Sequence, residues 1–383
     1  MRRQLNLLRE FSAPLLAGVC AALVWANVDP ADYFAFLHTP AVGKFTIHFV
    51  TNDLFMTLFF GIAAVEITQS CLPGGDLHPL KRAINPLFAT AGGVLGPVAL
   101  YLLLNALFGA PALARGWGIP TATDIALAWL AARFIFGKDH PAISFLLLLA
   151  VADDAVGLAI IAIFYGDPVN PVQPAWLLLV GAGMALSFLL RRRQVMNYWP
   201  YLLAGGTLNW LGLYLSHLHP ALALVFVIPF LPHPFAEKRH LFEEDQADLS
   251  PLSRFERDWK LTVDLGLFMF GLVNGGVPFS AIGAATWLVL LSLIGGKTLG
   301  VVSFSALANR LGFPLAKGMG GRELVVTGIV AGTGFTVALF VAGEAFPDAA
   351  LAGGAKMGAM LSIFAFLPAA LVAKLGKRAK QKA

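Results

Sequence analysis

The chain has 383 residues, of which 58% are hydrophobic and 13% are charged. Soluble domains carry roughly 25% charged residues, so a water-soluble fold is excluded. The 30 Phe and two Cys also exclude a disordered chain and a disulfide-rich scaffold. The composition predicts an all-α polytopic membrane protein.

Twelve apolar segments approach the roughly 20 residues that a membrane span requires. In chain order they are 11–28, 51–71, 84–107, 119–136, 141–165, 174–190, 198–216, 219–232, 261–277, 283–308, 323–346 and 351–374. The first apolar stretch is long for a signal peptide, which favours a retained helix. The eighth segment is short enough to be a half-span.

Basic residues lie mostly on one side of these segments. Of the 27 Lys and Arg, Lys44 and Arg115 fall in outer loops, Lys297 and Lys356 fall within spans, and the remaining 23 fall on the inner side. This asymmetry places both termini in the cytoplasm and favours an even number of spans. The basic residues that orient the protein also explain its net charge of +5, so no nucleic-acid partner is needed.

Several ionisable residues remain within the spans, where each one at mid-bilayer costs roughly 2.5–3.5 kcal/mol. We expect a structural role for five of them, which lie near span ends or in the cytoplasmic third of a span: Asp53, Glu66, Asp264, Glu344 and Lys356. Asp153 and Asp154 differ, because they follow Pro141 by about 18–20 Å of helix and so lie near the midplane. The structural alternative is a buried acidic dyad without a role in transport.

Adjacent carboxylates on a helix point about 100° apart, so one can face a cavity while the other meets a neighbouring helix. Two carboxylates this close do not both ionise in a low dielectric unless a cation is present. Lys297 is also mid-span, so it either loses its proton or takes a carboxylate partner, for which Asp153 and Asp154 are the candidates. These three residues predict a protonatable cation site.

Two spans contain sequences that interrupt a helix. The fourth begins Gly118-Ile119-Pro120-Thr121-Ala122-Thr123-Asp124, and the eleventh contains Gly332-Thr333-Gly334-Phe335-Thr336. Such breaks at membrane depth are tolerated where they line protein or a cavity. We therefore predict discontinuous helices at Thr121 and Ala122 and at Gly332, Thr333 and Gly334.

The two broken helices are the middle helices of spans 3–5 and 10–12. These triplets start seven spans apart, an odd number, so they enter the membrane from opposite sides as inverted repeats. Crossed breaks place positive and negative helix ends at the midplane; Asp124 can balance the former and Lys297 the latter. We predict one domain, 1–383, with an inverted-repeat core of 84–165 and 283–374, the other helices forming scaffold and dimer interface.

Five motifs occur in order: the segment from Gly118 to Asp124 followed by Ile-Ala, Asp153-Asp154 followed by Ala-Val-Gly, Val273-Asn274-Gly275-Gly276-Val277, Gly296-Lys297-Thr298-Leu299-Gly300, and the segment from Gly332 to Thr336. Together they resemble the NhaA-type sodium/proton antiporters, whose inverted repeats and broken helices illustrate the transporter architecture described above. The resemblance covers nearly the whole chain. One departure is that Glu66 is followed by Ile-Thr-Gln-Ser, without the family's basic and acidic cluster linked to pH sensing.

The resemblance implies that Asp154 is the principal Na⁺ and proton carboxylate, and that Asp153 shares the site or pairs with Lys297. Thr123 and Asp124 would complete the ion and proton site. It further implies electrogenic exchange of cytoplasmic Na⁺ or Li⁺ for external H⁺ in pH homeostasis. The protein would be a homodimer among the lipids of a bacterial inner membrane, without a cofactor.

Two alternatives were weighed. A sodium-coupled carrier of a small organic anion also uses broken helices, but it would need more polar groups than these spans provide. An intramembrane aspartyl protease needs two Asp on separate helices, and Asp124 and Asp154 could be so placed. Its Gly-x-Gly-Asp signature is missing, because Asp154 follows Val151-Ala152-Asp153. We therefore do not expect an enzyme.

Overall fold

The computed structural model describes residues 13–72, 80–137, 140–166, 170–233 and 250–382. The first two residues of the predicted span 11–28 and the basic residues at positions 2, 3, 9, 138, 238 and 239 lie outside these ranges.

Apolar helices dominate the first half of the described chain, with one two-stranded antiparallel hairpin between them. Its elements are α1 Ala13–Val28, α2 Pro30–His38, β1 Pro40–Val42, β2 Phe45–Thr46, α3 Ile47–Cys71, α4 Leu80–Phe108, the broken pair α5a Pro111–Thr121 and α5b Ile125–Phe136, and α6 Pro141–Phe164. The hairpin turns at Gly43, whose φ of +60° suits a residue without a side chain.

The second half repeats the pattern of long and broken helices. It contains α7 Pro174–Arg192, α8 at 201–215, α9 Pro220–Phe230, α10 Pro251–Asn274, a short turn Phe279–Ala281, α11 Ala284–Arg310, the broken pair α12a Gly321–Ala331 and α12b Thr336–Ala345, α13 Ala349–Leu361, a 3₁₀ turn Ser362–Ala365 and α14 Phe366–Lys382. The polytopic all-α prediction is confirmed.

Each of the twelve predicted spans coincides with helical structure. By length and hydropathy, six continuous helices of the described residues can cross a membrane, or up to eight crossings if each bent pair is one span. The helices at the other four predicted spans are shorter or more polar. One of them, α10, begins at Pro251, ten residues before the predicted start, because charged residues of the adjoining loop continue the helix.

The chain divides into two compact units. Unit 1 comprises Met1–His78 and Leu158–Gly276, and unit 2 comprises Pro79–Gly157 and Val277–Ala383. Both broken helices belong to unit 2, together with α4, α11, α13 and the part of α6 up to Gly157. The assignment of 84–165 and 283–374 as an inverted-repeat core stays a prediction.

Unit 1 is held together by polar contacts at the end of α10. The hydroxyl of Tyr33 lies within hydrogen-bond distance of the carbonyl oxygens of Leu272 and Val273, at 2.8 and 3.0 Å. The side chain of Asn274 donates to Oδ1 of Asn52 on α3 at 2.8 Å. These buried bonds fix α2 and the start of α3 against the last turn of α10.

In unit 2, α4 and α11 approach through glycines. Gly92 and Gly96 on α4 face Gly300 and Gly296 on α11, and a Cβ added to Gly300 would lie 2.6 Å from the carbonyl carbon of Gly92. Real side chains essentially never come that close. Small residues let helix backbones approach closely, as is common between membrane helices. This contact fixes the rotation of α11 and therefore the direction in which Lys297, between the two glycines, points.

We predict that Gly300→Ala lowers the stability of the protein, because the added methyl group overlaps the backbone of Gly92. Overpacking of this kind typically costs about 1–3 kcal/mol. Thermal unfolding of the detergent-solubilised protein measures the change. Gly181→Ala is the matched control, since a Cβ at Gly181 on α7 meets nothing within 4 Å. Equal melting temperatures for the two variants would contradict the packing argument.

Candidate ion-binding site

The first broken helix unwinds where the sequence predicts. Pro120 leaves helical geometry at φ −83° and ψ 16°, and Ala122 is extended at φ −89° and ψ 152°. A new helix, α5b, begins at Ile125, bent by 59° from α5a. The carboxylate of Asp124 caps it, because Oδ1 accepts from the backbone N–H of Leu127 at 3.1 Å.

The second broken helix unwinds between Ala331 and Thr336, and its two halves are bent by 51°. The two breaks touch directly. The backbone N–H of Asp124 donates to the carbonyl of Thr333 at 2.8 Å, and a Cβ on Gly334 would lie 2.9 Å from the carbonyl oxygen of Ala122. Glycine at position 334 therefore permits the crossing. The predicted discontinuous helices are both present.

One carboxylate serves the N-termini of both second halves. Oδ1 of Asp124 caps α5b, while Oδ2 accepts from the backbone N–H of Thr336 at 3.3 Å and from its hydroxyl at 2.5 Å. Thr336 is the first residue of α12b. A negative charge is favourable at the positive end of a helix, and here it faces two such ends. The geometry thus agrees with the balancing role expected of Asp124.

Lys297 takes the opposite position, at a negative helix end. Its Nζ donates to the carbonyl of Thr121, the last residue of α5a, at 2.7 Å. The same Nζ lies 2.8 Å from Oδ2 of Asp153, and both side chains have 0% exposure. A buried charge needs such a partner, because burial without one costs several kcal/mol. The sequence left the partner open between two carboxylates; the structure brings Asp153 to Lys297.

Thr123 connects this ion pair to the second broken helix. Its hydroxyl lies 2.9 Å from Oδ2 of Asp153 and 2.9 Å from the carbonyl oxygen of Ala331. Ala331 is the last residue of α12a. The C-terminal ends of both first halves therefore meet the cluster of Asp153, Lys297 and Thr123.

Asp154 follows on α6 with a half-buried side chain, whereas Asp153 is fully buried. The contrast matches the expectation that adjacent carboxylates face different surroundings. Lys297 and Thr123 bind Asp153, so their charge and hydroxyl are directed to that residue. Asp154 is the more exposed residue of this pair.

The other charges expected to be structural lie away from this cluster in the chain. Asp53, Glu66 and Asp264 belong to unit 1. Glu66 faces Glu256 and Lys260 of α10. In unit 2, Lys356 of α13 lies within electrostatic range of Glu344 at the end of α12b.

The sequence identified two further contributors incompletely or missed them. The sequence places Thr336 in the second break but does not indicate its bonds to Asp124. Gly93 was not singled out, yet a Cβ there would lie 3.5 Å from Oδ1 of Asp153 and 3.6 Å from Cε of Lys297. Its position one residue after the helix-contact glycine Gly92 is the signal that points to it.

Two crossing broken helices with buried ionisable side chains at their ends define a secondary transporter. The model of the Na⁺/H⁺ antiporter 1 family matches residues 5–374, and the chain belongs to this family.

Curated relatives match over nearly their full length. The chain is 65% identical over 375 residues to a protein of Geotalea uraniireducens, covering 98% of this chain and 97% of that one. It is 59% identical over 376 residues to a protein of Desulfitobacterium hafniense, covering 98% and 96%. Both relatives are named Na(+)/H(+) antiporter NhaA.

Among solved structures, the fold is similar to the sodium proton antiporter MjNhaP1 of Methanocaldococcus jannaschii. The TM-score is 0.51 at 13% identity, covering 97% of this chain and 99% of that one. At this identity the likeness concerns the fold alone.

We predict that Lys297→Met and Asp153→Asn each lower stability by about 3 kcal/mol, because removing one partner of a buried pair strands the other. The double variant should lose clearly less than the sum, since it strands neither charge. A double-mutant cycle on unfolding in detergent measures the coupling. Additive losses would contradict the pairing. In the matched control cycle, Lys356→Met combined with Asp153→Asn, the losses should add.

Proposed function

We propose that the protein exchanges cytoplasmic Na⁺ or Li⁺ for external H⁺ at one site in unit 2, by alternating access. The observation that carries this proposal is the fully buried pair of Asp153 and Lys297, bound to the broken helices through Thr121 and Thr123. The carboxylate of Asp124 caps the N-termini of both second halves. These two ends therefore stay balanced while the pair gains or loses a cation or proton.

The chemistry of the cluster suits a small hard cation. Such ions prefer oxygen ligands, and carboxylates, hydroxyls and unwound backbone carbonyls are all present at the crossing. We assign Na⁺ binding to Asp154 and Asp153, with Thr123 contributing its hydroxyl. Protons compete with Na⁺ for the same carboxylates, which couples the inward flow of protons to the export of sodium.

Lys297 makes the exchange electrogenic in this proposal. When a cation takes the charge of Asp153, the lysine loses its counter-ion in a buried position, and in this proposal it then releases its proton. Lysine and carboxylates together release more than one proton for each Na⁺ bound. Net charge consequently moves across the membrane in every cycle.

The competing hypothesis was a sodium-coupled carrier of a small organic anion. It is not supported, because the family model and the curated relatives are named for Na⁺/H⁺ exchange. The geometry also offers such an anion little, since the donors of Lys297 and Thr336 are already directed to Asp153 and Asp124.

We further propose a homodimer in the lipids of a bacterial inner membrane, with both termini cytoplasmic. The bacterial relatives and the excess of basic residues on one side support this placement. Exchange of Na⁺ for H⁺ would serve pH homeostasis. It makes and breaks no covalent bond and requires no cofactor, so the proposed protein is a transporter and not an enzyme.

We predict that everted vesicles containing the protein respond to added Na⁺ or Li⁺ with a change of internal pH, recorded with a fluorescent pH probe. Asp154→Asn should abolish the response, because the amide neither releases a proton nor supplies a charge to the cation. Full exchange by Asp154→Asn would contradict the site.

The role of Lys297 is tested in the same vesicles with a membrane-potential probe. Lys297→Ala should remove the dependence of exchange on membrane potential. If Lys297→Ala retained electrogenic exchange, the lysine would be structural. Asp53→Asn serves as the control for loss of a carboxylate, since Asp53 lies in unit 1 and should leave the response to Na⁺ in place.

A further inference from the structure

Ser362 contacts the second broken helix from the turn after α13, an element that supplies none of the site residues named above. It lies where α13 ends and the 3₁₀ turn Ser362–Ala365 begins, and its side chain is fully buried. The backbone N–H of Gly334 donates to the hydroxyl oxygen at 3.1 Å. The same hydroxyl faces the carbonyl oxygens of Gly334 at 3.1 Å and of Ala359 at 2.6 Å.

The peptide of Gly334 needs a partner from outside its own helix. It lies in the unwound segment, and the membrane interior offers no water to a backbone N–H. Gly334 is also packed tightly against the first break, since a Cβ at Gly334 would lie 2.9 Å from the carbonyl oxygen of Ala122. Ser362 and the first broken helix therefore both contact Gly334.

A serine hydroxyl has one hydrogen, so it can donate to Ala359 or to Gly334, but not to both at once. In either case its oxygen still accepts from the N–H of Gly334. Rotation of the hydroxyl can thus exchange one acceptor for another without releasing the peptide. This arrangement holds the break while leaving it a small freedom to shift.

Gly334 stands between the two residues through which Asp124 binds the second break. On one side, the carbonyl of Thr333 accepts from the N–H of Asp124, and on the other, Thr336 donates to its carboxylate. We infer that Ser362 is a positioning residue, which orients the Gly334 peptide so that both contacts to Asp124 form. A role of Ser362 in ion exchange rests on the proposed function.

Removal of the hydroxyl should weaken cation binding more than turnover. In Ser362→Ala the N–H of Gly334 is buried without its acceptor, and the break relaxes away from Asp124. We expect the apparent KM for Na⁺ to rise by about fivefold or more, the ratio that loss of one such hydrogen bond produces. The maximal rate should change less. Ser362→Thr keeps the hydroxyl and should restore the KM.

The experiment measures Na⁺-driven exchange in proteoliposomes for the wild type, Ser362→Ala and Ser362→Thr. Amide hydrogen exchange of the segment 332–336, measured in detergent without Na⁺, provides a second readout. Ser362→Ala should accelerate amide exchange there and Ser362→Thr should not. Ser303→Ala is the matched control, because the Ser303 hydroxyl donates to Leu299 within its own helix.

The outcomes separate this inference from the proposed function. A wild type without Na⁺-driven exchange would contradict the proposed function, while amide exchange would still report on the contact. Wild-type KM and amide exchange in Ser362→Ala, or equal impairment in Ser362→Thr, would overturn the inference. If Ser362→Ala does not fold, Ser362→Cys, which weakens the hydrogen bond at nearly the same volume, is measured against the same two criteria.

Discussion

A helix that is broken inside a membrane exposes backbone groups that lipid cannot satisfy. The organisation of unit 2 follows from this constraint. Each break supplies what the other lacks: Asp124, beside the first break, caps the half-helix that begins at Thr336, and the carbonyl of Thr333 accepts from its N–H. The crossing is therefore stabilised as a unit, and either break alone would leave buried polar groups unpaired.

The same constraint explains why charged residues can persist at this depth. The carboxylate of Asp124 faces two positive helix ends, and Lys297 faces a negative one at Thr121. Asp153 then neutralises the lysine. The direction of the Lys297 side chain is set by packing, because the glycine contact between α4 and α11 fixes the rotation of α11. Electrostatics and close packing thus act on one side chain.

The positions of the helices and of both breaks could be predicted from the sequence, because long apolar runs and clusters of Gly, Pro and Thr have direct physical consequences. The choice of Asp153 over Asp154 as partner of Lys297 could not. Residues 100° apart on a helix are distinguished by the rotation of that helix against its neighbours, which no local pattern records. The start of α10 at Pro251 was missed because that end of the helix is polar.

Individual hydroxyl groups were the least predictable part of the site. Thr336 and Ser362 lie in apolar helices where Ser and Thr commonly bond to the preceding turn, so their residue type alone indicates nothing about a distant partner. Their contacts become apparent when each backbone N–H and C=O of the second break is matched with its hydrogen-bond partner. Ser362, in the turn after α13, thereby joins the site residues that the motifs had placed at the two breaks, on α6 and on α11.

The central claim is that Na⁺ and protons compete for the carboxylates at this crossing. The most direct test adds Na⁺ to the detergent-solubilised protein in weakly buffered solution and records the protons released, for the wild type and for Asp154→Asn. The account predicts proton release by the wild type and none by the variant. Equal release by both proteins, or no release by a wild type that binds Na⁺, would contradict it.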